Sequence, residues 1–430
     1  MRCALSLIAI FASAAFSNAA DNWPQFRGPH GDGHADAKDV PITWSETENV
    51  KWKTAIHDKG WSSPVIWGNQ IWLTTAKEKY AENAPKENAA QKIPKPDWVE
   101  LYAVCIDKAS GKILHDVMLR KAIKPDYCNS YNSFATPTPV LEEGRVYLHF
   151  GENGTFCIDA TSGKTIWERL DLKCDHWRGA ASSPIIHGDL MYLTFDGYDV
   201  QYVEALNKKD GTTAWHKDRN IKFPSTNGDL KKAYSTPSIL VVDGKPQLIS
   251  PAAEATIAYD PASGDELWRV IHGGMNEACK PVFGHGLIYL TTGHNPTVLA
   301  MKQGMKGTIS KEDAVWKTIK AAPSRPSLLL DGDLLYMVSD LGFAACVDAK
   351  TGEQKWQERF GAKFDASPVL AAGHIFISDT EGKTHVIATG AAFKSVAINK
   401  LDAGCMGSIA VSGNELFIRT KTHLYCIAKK

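Results

Sequence analysis

The sequence predicts an all-β chain folded as an eight-bladed β-propeller of four-stranded antiparallel blades. Three observations predict it. The first is a turn with fixed internal spacing. Asp159-Gly163-Trp167, Asn207-Gly211-Trp215, Asp260-Gly264-Trp268 and Asp348-Gly352-Trp356 each step by four residues. Asp107 and Gly111 keep the spacing, with His115 in the Trp position. A turn that recurs about every 50 residues marks an array of small sheets. The second is a recurring start, a Ser/Thr-Pro step followed by a short apolar strand. It occurs at Ser63-Pro64, Thr136-Pro137, Ser183-Pro184, Thr236-Pro237 and Ser367-Pro368, with variants at Lys280-Pro281, Arg325-Pro326 and Ser408-Ile409. The third is a missing strand: the last unit stops at Ile427 after three strands, and Val50–Ile56 before the first unit has the character of the absent fourth.

Each element of a unit has a local reason. A Gly-centred turn (Gly68, Gly144, Gly188, Gly244, Gly286, Gly332, Gly373, Gly413) follows the first strand. The second strand is β-branched and aromatic, as in Val146–Phe150 and Met191–Phe195. The third strand runs into the Asp/Asn turn, whose side chain accepts backbone hydrogen bonds while Gly supplies the left-handed position. The fourth strand carries the Trp. Units begin near Ser62, Ala135, Ser182, Ser235, Lys280, Ser324, Ala366 and Gly407. Val50–Ile56, with Trp52 in the Trp position, then completes the eighth blade and closes the ring, leaving no open blade.

Residues 1–19 read as an export signal. Arg2 supplies the charge, Leu5–Phe16 the apolar run and Ser17-Asn18-Ala19 a small-x-small cleavage site. Cys3 precedes the apolar run, so the pattern is not that of a lipid-anchored protein. The expected location is periplasmic or secreted. Residues 20–49 form an N-terminal lead-in and residues 50–430 a single propeller, expected to be a monomer with no membrane-spanning segment. With 48 Lys+Arg against 48 Asp+Glu, the chain has no nucleic-acid footprint. Cys105, Cys157, Cys346 and Cys426 share a repeat position that holds Ala205 or Ala258 in other blades, the mark of a tight core slot. Cys128 and Cys174, in the loops leading into the second and third blades, are a candidate disulfide. Cys279 and Cys405 have no evident partner.

These repeats resemble the PQQ-like repeat family, which also contains the periplasmic assembly lipoprotein BamB. The resemblance covers nearly the whole mature chain. It implies that Trp52, Trp167, Trp215, Trp268 and Trp356 each dock on the neighbouring blade, with Trp316 doing so in the fifth, where the Asp and Gly are lost. The seventh blade has Phe393 or Val396 instead. Trp23-Pro-Gln-Phe-Arg-Gly28 and Cys174-Asp-His-Trp-Arg-Gly179 look like a secreted bacterial subgroup of such propellers.

Strand order sorts the loops onto two faces. Gly-centred turns and Asp-x-x-x-Gly turns share one, uniform and structural. Loops leading into blades share the other with the second-to-third strand turns, and here the unusual residues collect. Ligand-binding candidates on this incoming-loop face are Trp61, Tyr131, Asn132, His176, Trp177, Arg178, Asp196, Tyr198, Asp199, Asn276, Glu277, Arg325 and Asp365. Glu152, Asn153, Tyr234 and Asp340 lie there too. A funnel lined with rings, carboxylates and a guanidinium suits a small polar ligand or a peptide; equally, a propeller rim is polar by default. Asp175–Arg178 faces Asp196–Tyr202 within one blade. His176 as acid/base with Arg178 as carboxylate clamp is one reading, and an Arg–Asp salt bridge bracing two loops is the other. The insertion at 76–98 reads as a solvated excursion, with a lid or partner loop as the alternative.

Enzyme signatures are missing. Quinone-dependent members of the family often place adjacent cysteines over the cofactor, and no Cys-Cys pair occurs. Haem-attachment, zinc-protease, nucleophile-elbow and phosphate-loop motifs are absent as well, and no metal site is expected. The leading expectation is a binding or scaffold module that needs no cofactor and presents the incoming-loop face to a protein or small polar ligand. The alternative is a pyrroloquinoline-quinone oxidoreductase using calcium, with a propeller hydrolase or lyase third.

Overall fold

The computed structural model describes residues 21–84 and 94–429. The expected export signal and the centre of the 76–98 insertion lie outside the described residues. Eight sheets form, each with four antiparallel strands taken in chain order except in blade 8, completed from the N-terminus, and blade 5, whose third and outer strands are separated by a strand that joins blade 4. Blade 1 is typical: Val65–Trp67, Gln70–Lys79, Trp98–Asp107 and Ile113–Ile123, from inside to outside. Ala410–Ser412, Glu415–Arg419 and His423–Ile427 make three strands of blade 8. Val50–Ala55 adds the fourth, antiparallel, with Val50 opposite Ile427 and Ala55 opposite His423. Blade 4 carries an extra outer strand, Gly307–Ser310, parallel to Glu266–Ile271.

The repeat turn works through its side chain. Asp159 Oδ1 accepts from the backbone N–H groups of Thr161 (3.1 Å) and Ser162 (2.7 Å). One residue beyond the core slot the strands shift register by a bulge, which sets Cys157 opposite Trp167 and Ala205 opposite Trp215. Cys105, Cys157, Cys346 and Cys426 are fully buried in that slot.

Each Trp reaches the next blade. The Trp167 ring covers Gly211, where a Cβ would sit 2.6 Å from it, and its N–H donates to Lys208 O at 3.1 Å. Trp52, Trp215, Trp316 and Trp356 donate likewise to Lys108, Pro261, Ala349 and Gly390 of the following blades. Trp268 differs, donating to Gln247 of its own blade. Its neighbour is the fifth blade, which lacks the Asp-x-x-x-Gly turn and so offers no equivalent carbonyl. Trp356 also meets Phe393 edge-on.

Two unit starts differ from the sequence reading. Val140 and Leu329 open the first strands of blades 2 and 6, so the equivalents of Ser63-Pro64 are Thr138-Pro139 and Ser327-Leu328, two residues past those expected. The reason is a hydrogen-bonded ring around the axis. Ser63 N donates to Thr138 Oγ1, Thr138 N to Ser183 Oγ and Ser183 N to Thr236 Oγ1. Lys280 N donates to Ser327 Oγ, Ser327 N to Ser367 Oγ, Ser367 N to Ser408 Oγ and Ser408 N back to Ser63 Oγ, all at 2.9–3.0 Å. Each hydroxyl satisfies a backbone donor that the first strand leaves unpaired.

The lead-in segment is a plug. Its backbone pairs with inner strands across the ring: Trp23 with Ile66, Pro24 O with Leu141 N, and Gly33 and Ala35 with Leu370. Asp21 O accepts from Ser412, and Asn22 Oδ1 from Gly68 N in a turn of the structural face. Trp23 and Arg27 are each 1% exposed. The chain thus enters from the structural face, loops through the axial space and leaves past Val40 and Trp44, which are buried against blades 7 and 8.

Candidate functional site

With the plug looped through the axial space, the open surface of the incoming-loop face is its rim. Three loops are tied across it. The Tyr131 hydroxyl, from the loop into blade 2, donates to Asp365 Oδ2 at 2.6 Å in the loop into blade 7. Arg325, leading into blade 6, lies 5.3 Å from the Tyr131 ring centre. Its Nε reaches Asp340 Oδ1 at 2.6 Å and its Nη1 reaches Asp365 Oδ1 at 2.9 Å. Trp61 donates to Tyr131 O at 3.1 Å. Tyr131 still leaves 44% of its surface exposed.

A second group joins the loops into blades 2 and 3. Asn132 Nδ2 donates to Arg178 O at 2.9 Å. Trp177 sits at φ 57°. Its ring lies 5.3 Å from Tyr198 and meets Tyr127 edge-on. Asp199 Oδ1 accepts from Asp175 N at 2.9 Å, fixing the turn that carries Tyr198. Arg178 is exposed, and its guanidinium makes no hydrogen bond or ion pair among the described residues.

One sequence reading of this region, the Arg178–Asp salt bridge, needs correction. Asp196 is not paired with Arg178. It holds Arg219 bidentately, with Nη2–Oδ2 at 2.6 Å and Nε–Oδ1 as the other arm, both side chains buried. Arg219 lies 23 positions away at the far end of the blade, and no local pattern marked it. His176 is buried and is the neutral imidazole near pH 7. It is 7% exposed, and burial holds its pKa down to about 4. Its ring packs on Phe195, and Tyr234 donates to its carbonyl at 3.2 Å. Nor do Cys128 and Cys174 form a disulfide; the eight cysteines among the described residues are thiols. Cys174 Sγ lies 3.7 Å from His176 Nδ1, while Cys128 Sγ lies toward Arg178 O.

Asn276 and Glu277 sit lower. Asn276 N donates to Lys232 O at 2.7 Å. Glu277 has no exposed surface and accepts from the Thr291 hydroxyl. Burial pushes its carboxyl well above the usual range, against the hydrogen bond from Thr291. Asn276 is half-buried, and Glu277 is closed off from solvent.

Glu152 adds a titrating group at the same edge. Burial, then the neighbouring Asp126 and Asp175 carboxylates, raise its pKa from 4.5 to about 7. It lines a cavity of about 10 Å³ with His176 and Asn153, room for one water. The folded carboxyl keeps its proton where the unfolded one ionises, so this group's contribution is present below about pH 4.5 and lost as pH rises to about 7. Glu152→Gln should therefore flatten the fall in urea midpoint between those values. The wild-type-minus-variant difference isolates this term from the buried histidines, whose slope has the opposite sign. An identical slope in the variant would contradict the assignment.

A family model described as outer membrane protein assembly factor BamB matches residues 102–201 and 199–430. The chain belongs to this family of PQQ-like repeat propellers. Among curated relatives of this propeller, tetrathionate hydrolase of Acidithiobacillus ferrooxidans is 22% identical over 363 residues, 78% of this chain and 66% of that protein. Quinoprotein alcohol dehydrogenase PedH of Pseudomonas putida is 31% identical over 160 residues, 33% of this chain and 24% of that protein. The chain therefore spans at most 66% of the length of these relatives. Among solved structures, quinohemoprotein alcohol dehydrogenase from Comamonas testosteroni superposes with a TM-score of 0.61 at 10% identity, covering 97% of this chain and 82% of that one. BamB from Moraxella catarrhalis gives 0.51 at 12%, covering 83% and 99%. Both likenesses are of fold. No helix among the described residues is long and apolar enough to cross a membrane.

A PQQ-like propeller that oxidised alcohols would need flat surfaces for the quinone, a cation at its carbonyl and a base beside the substrate hydroxyl. The residues present do not fit that demand as placed. Asp196 is locked by Arg219, and Asp365 by Arg325 and Tyr131. Tyr198 packs against Trp177, and the plug lies along the inner strands of blades 1, 2 and 7. Among the described residues, no three His, Cys, Asp or Glu side chains are placed to hold a metal ion.

Proposed function

We propose that the protein is an exported propeller scaffold whose incoming-loop face docks a protein segment or small ligand bearing a carboxylate. The exposed guanidinium of Arg178, without an acid of its own beside the Trp177–Tyr198 rings, carries this reading. Arginine offers a planar fork matched to carboxylates, and aromatic rings give rigid contact area. The plug and the internally paired acids support binding over turnover. Tyr131 and Trp61 extend the surface toward blade 7.

The test places a photo-crosslinking residue at Tyr198 or at Lys164 of the full chain in its exporting host. Adducts are expected from Tyr198 and should fall with Arg178→Ala. Adducts formed from Lys164, on the structural face, and indifferent to Arg178→Ala would overturn the reading. The alternative is a quinone-dependent oxidoreductase, for which the similarity to PedH over a third of the chain is the supporting observation.

A further inference from the structure

The ring of hydroxyls around the axis has one break. Seven blades place Ser63, Thr138, Ser183, Thr236, Ser327, Ser367 or Ser408 at this position, and the fifth places Lys280. Lys280 is 4% exposed, and its Nζ lies against Gly31 of the plug, 2.2 Å from where a Cβ would stand. Any side chain there would collide with the amine.

Arg27 comes to the same place from the plug. Its Nη2 donates to two backbone carbonyls, Asp32 at 2.5 Å and Leu328 at 2.7 Å. Its Nε and Nη1 are enclosed and have no acceptor among the described residues. Guanidinium stays charged in proteins, and a buried charge with unmet donors is costly unless an anion or acceptor meets it. The neighbouring carboxylate forms no ion pair with Arg27 or Lys280 among the described residues: Asp32 Oδ1 accepts from His34 N at 3.0 Å and faces His34 Nδ1 at 3.3 Å. Burial, with Arg27 adding to it and Asp32 opposing, holds Lys280 down to about 7. The buried Arg27 charge, with two donors unmet beside the Lys280 amine, leaves a demand for an acceptor in the middle of the channel.

We propose that a small anion of halide size binds on the propeller axis between Arg27 and Lys280. It accepts from the Arg27 Nε and Nη1 donors and pins the plug to blade 5. The size follows from the enclosure of those donors, which are shut off from solvent.

Bromide is the probe. Crystals of the full chain grown in bromide should show an anomalous peak in contact with Arg27 and with Lys280 Nζ. In solution, the unfolding temperature should rise saturably with bromide when gluconate holds the ionic strength constant. Lys280→Ser restores the eighth hydroxyl of the ring, so it keeps the fold. Losing one donor should weaken its bromide midpoint about tenfold or more. A bromide response that is identical in Lys280→Ser, or an axis with no anomalous peak, would overturn the proposal.

Discussion

Deleting residues 20–56 should make the protein insoluble. The deletion removes Val50–Ala55, the outer strand of blade 8, and bares the full length of His423–Ile427 as an unpaired edge. It also removes Trp23, Val40 and Trp44 from the largest core cluster, which joins blades 1, 7 and 8, and takes the plug from the axis. Edge exposure and a lost core act in the same direction. Expression of residues 57–430 behind an intact export signal, followed by fractionation and circular dichroism, checks this. A soluble truncation with the full β signal would refute closure by the N-terminal strand.

Trp215→Ala should cost about 3–5 kcal/mol, the range for truncating a buried Trp. The ring is 8% exposed and sits between blades 3 and 4. Its edge covers Gly264 so closely that a Cβ would stand 2.7 Å away, and its N–H donates to Pro261 O at 2.9 Å. Tyr192 and Tyr259 pack on it at 5.8 and 6.4 Å. The substitution opens a cavity and removes one of the two donors to Pro261 O, leaving the Tyr192 hydroxyl at 3.0 Å as the other. Urea unfolding of the purified variant measures it, and a loss under about 1 kcal/mol, near what surface sites show, would remove the ring from the inter-blade seam.

The fold was legible because each blade repeats the same local problem. A turn Asp, a Gly and a Trp solve it with side chains read directly from spacing, and the strand missing after Ile427 announced its own replacement. The two-residue slips arose where proline misled. Thr136-Pro137-Thr138-Pro139 offers two matching steps, and Arg325-Pro326 precedes a start, Ser327, that has no proline. Only the neighbouring blade's N–H group distinguishes them. The site was less legible because it is made by contacts between distant segments. Asp196 and Arg219 are joined by blade geometry, and Tyr131 and Asp365 by the width of the ring. Residues 20–49 have the Gly, Pro and His content of a linker, and only a central hole of the right bore turns Trp23 and Arg27 into core. His176 stands in a loop, where exposure is the ordinary expectation, yet lies beneath Tyr234 and against Phe195. Lys280 was visible as the odd member of the Ser/Thr-Pro series, but its meaning depended on Arg27 opposite.

The account rests on a plugged propeller that binds on its rim rather than oxidising a substrate on its axis. Titrating the purified full chain with pyrroloquinoline quinone and calcium, then reading co-eluting quinone absorbance and dye reduction with alcohols and sugars, tests this most directly. The account predicts no co-eluting quinone and no dye reduction at micromolar cofactor. Stoichiometric quinone binding with dye reduction, lost in Asp196→Asn or Trp177→Ala, would contradict it.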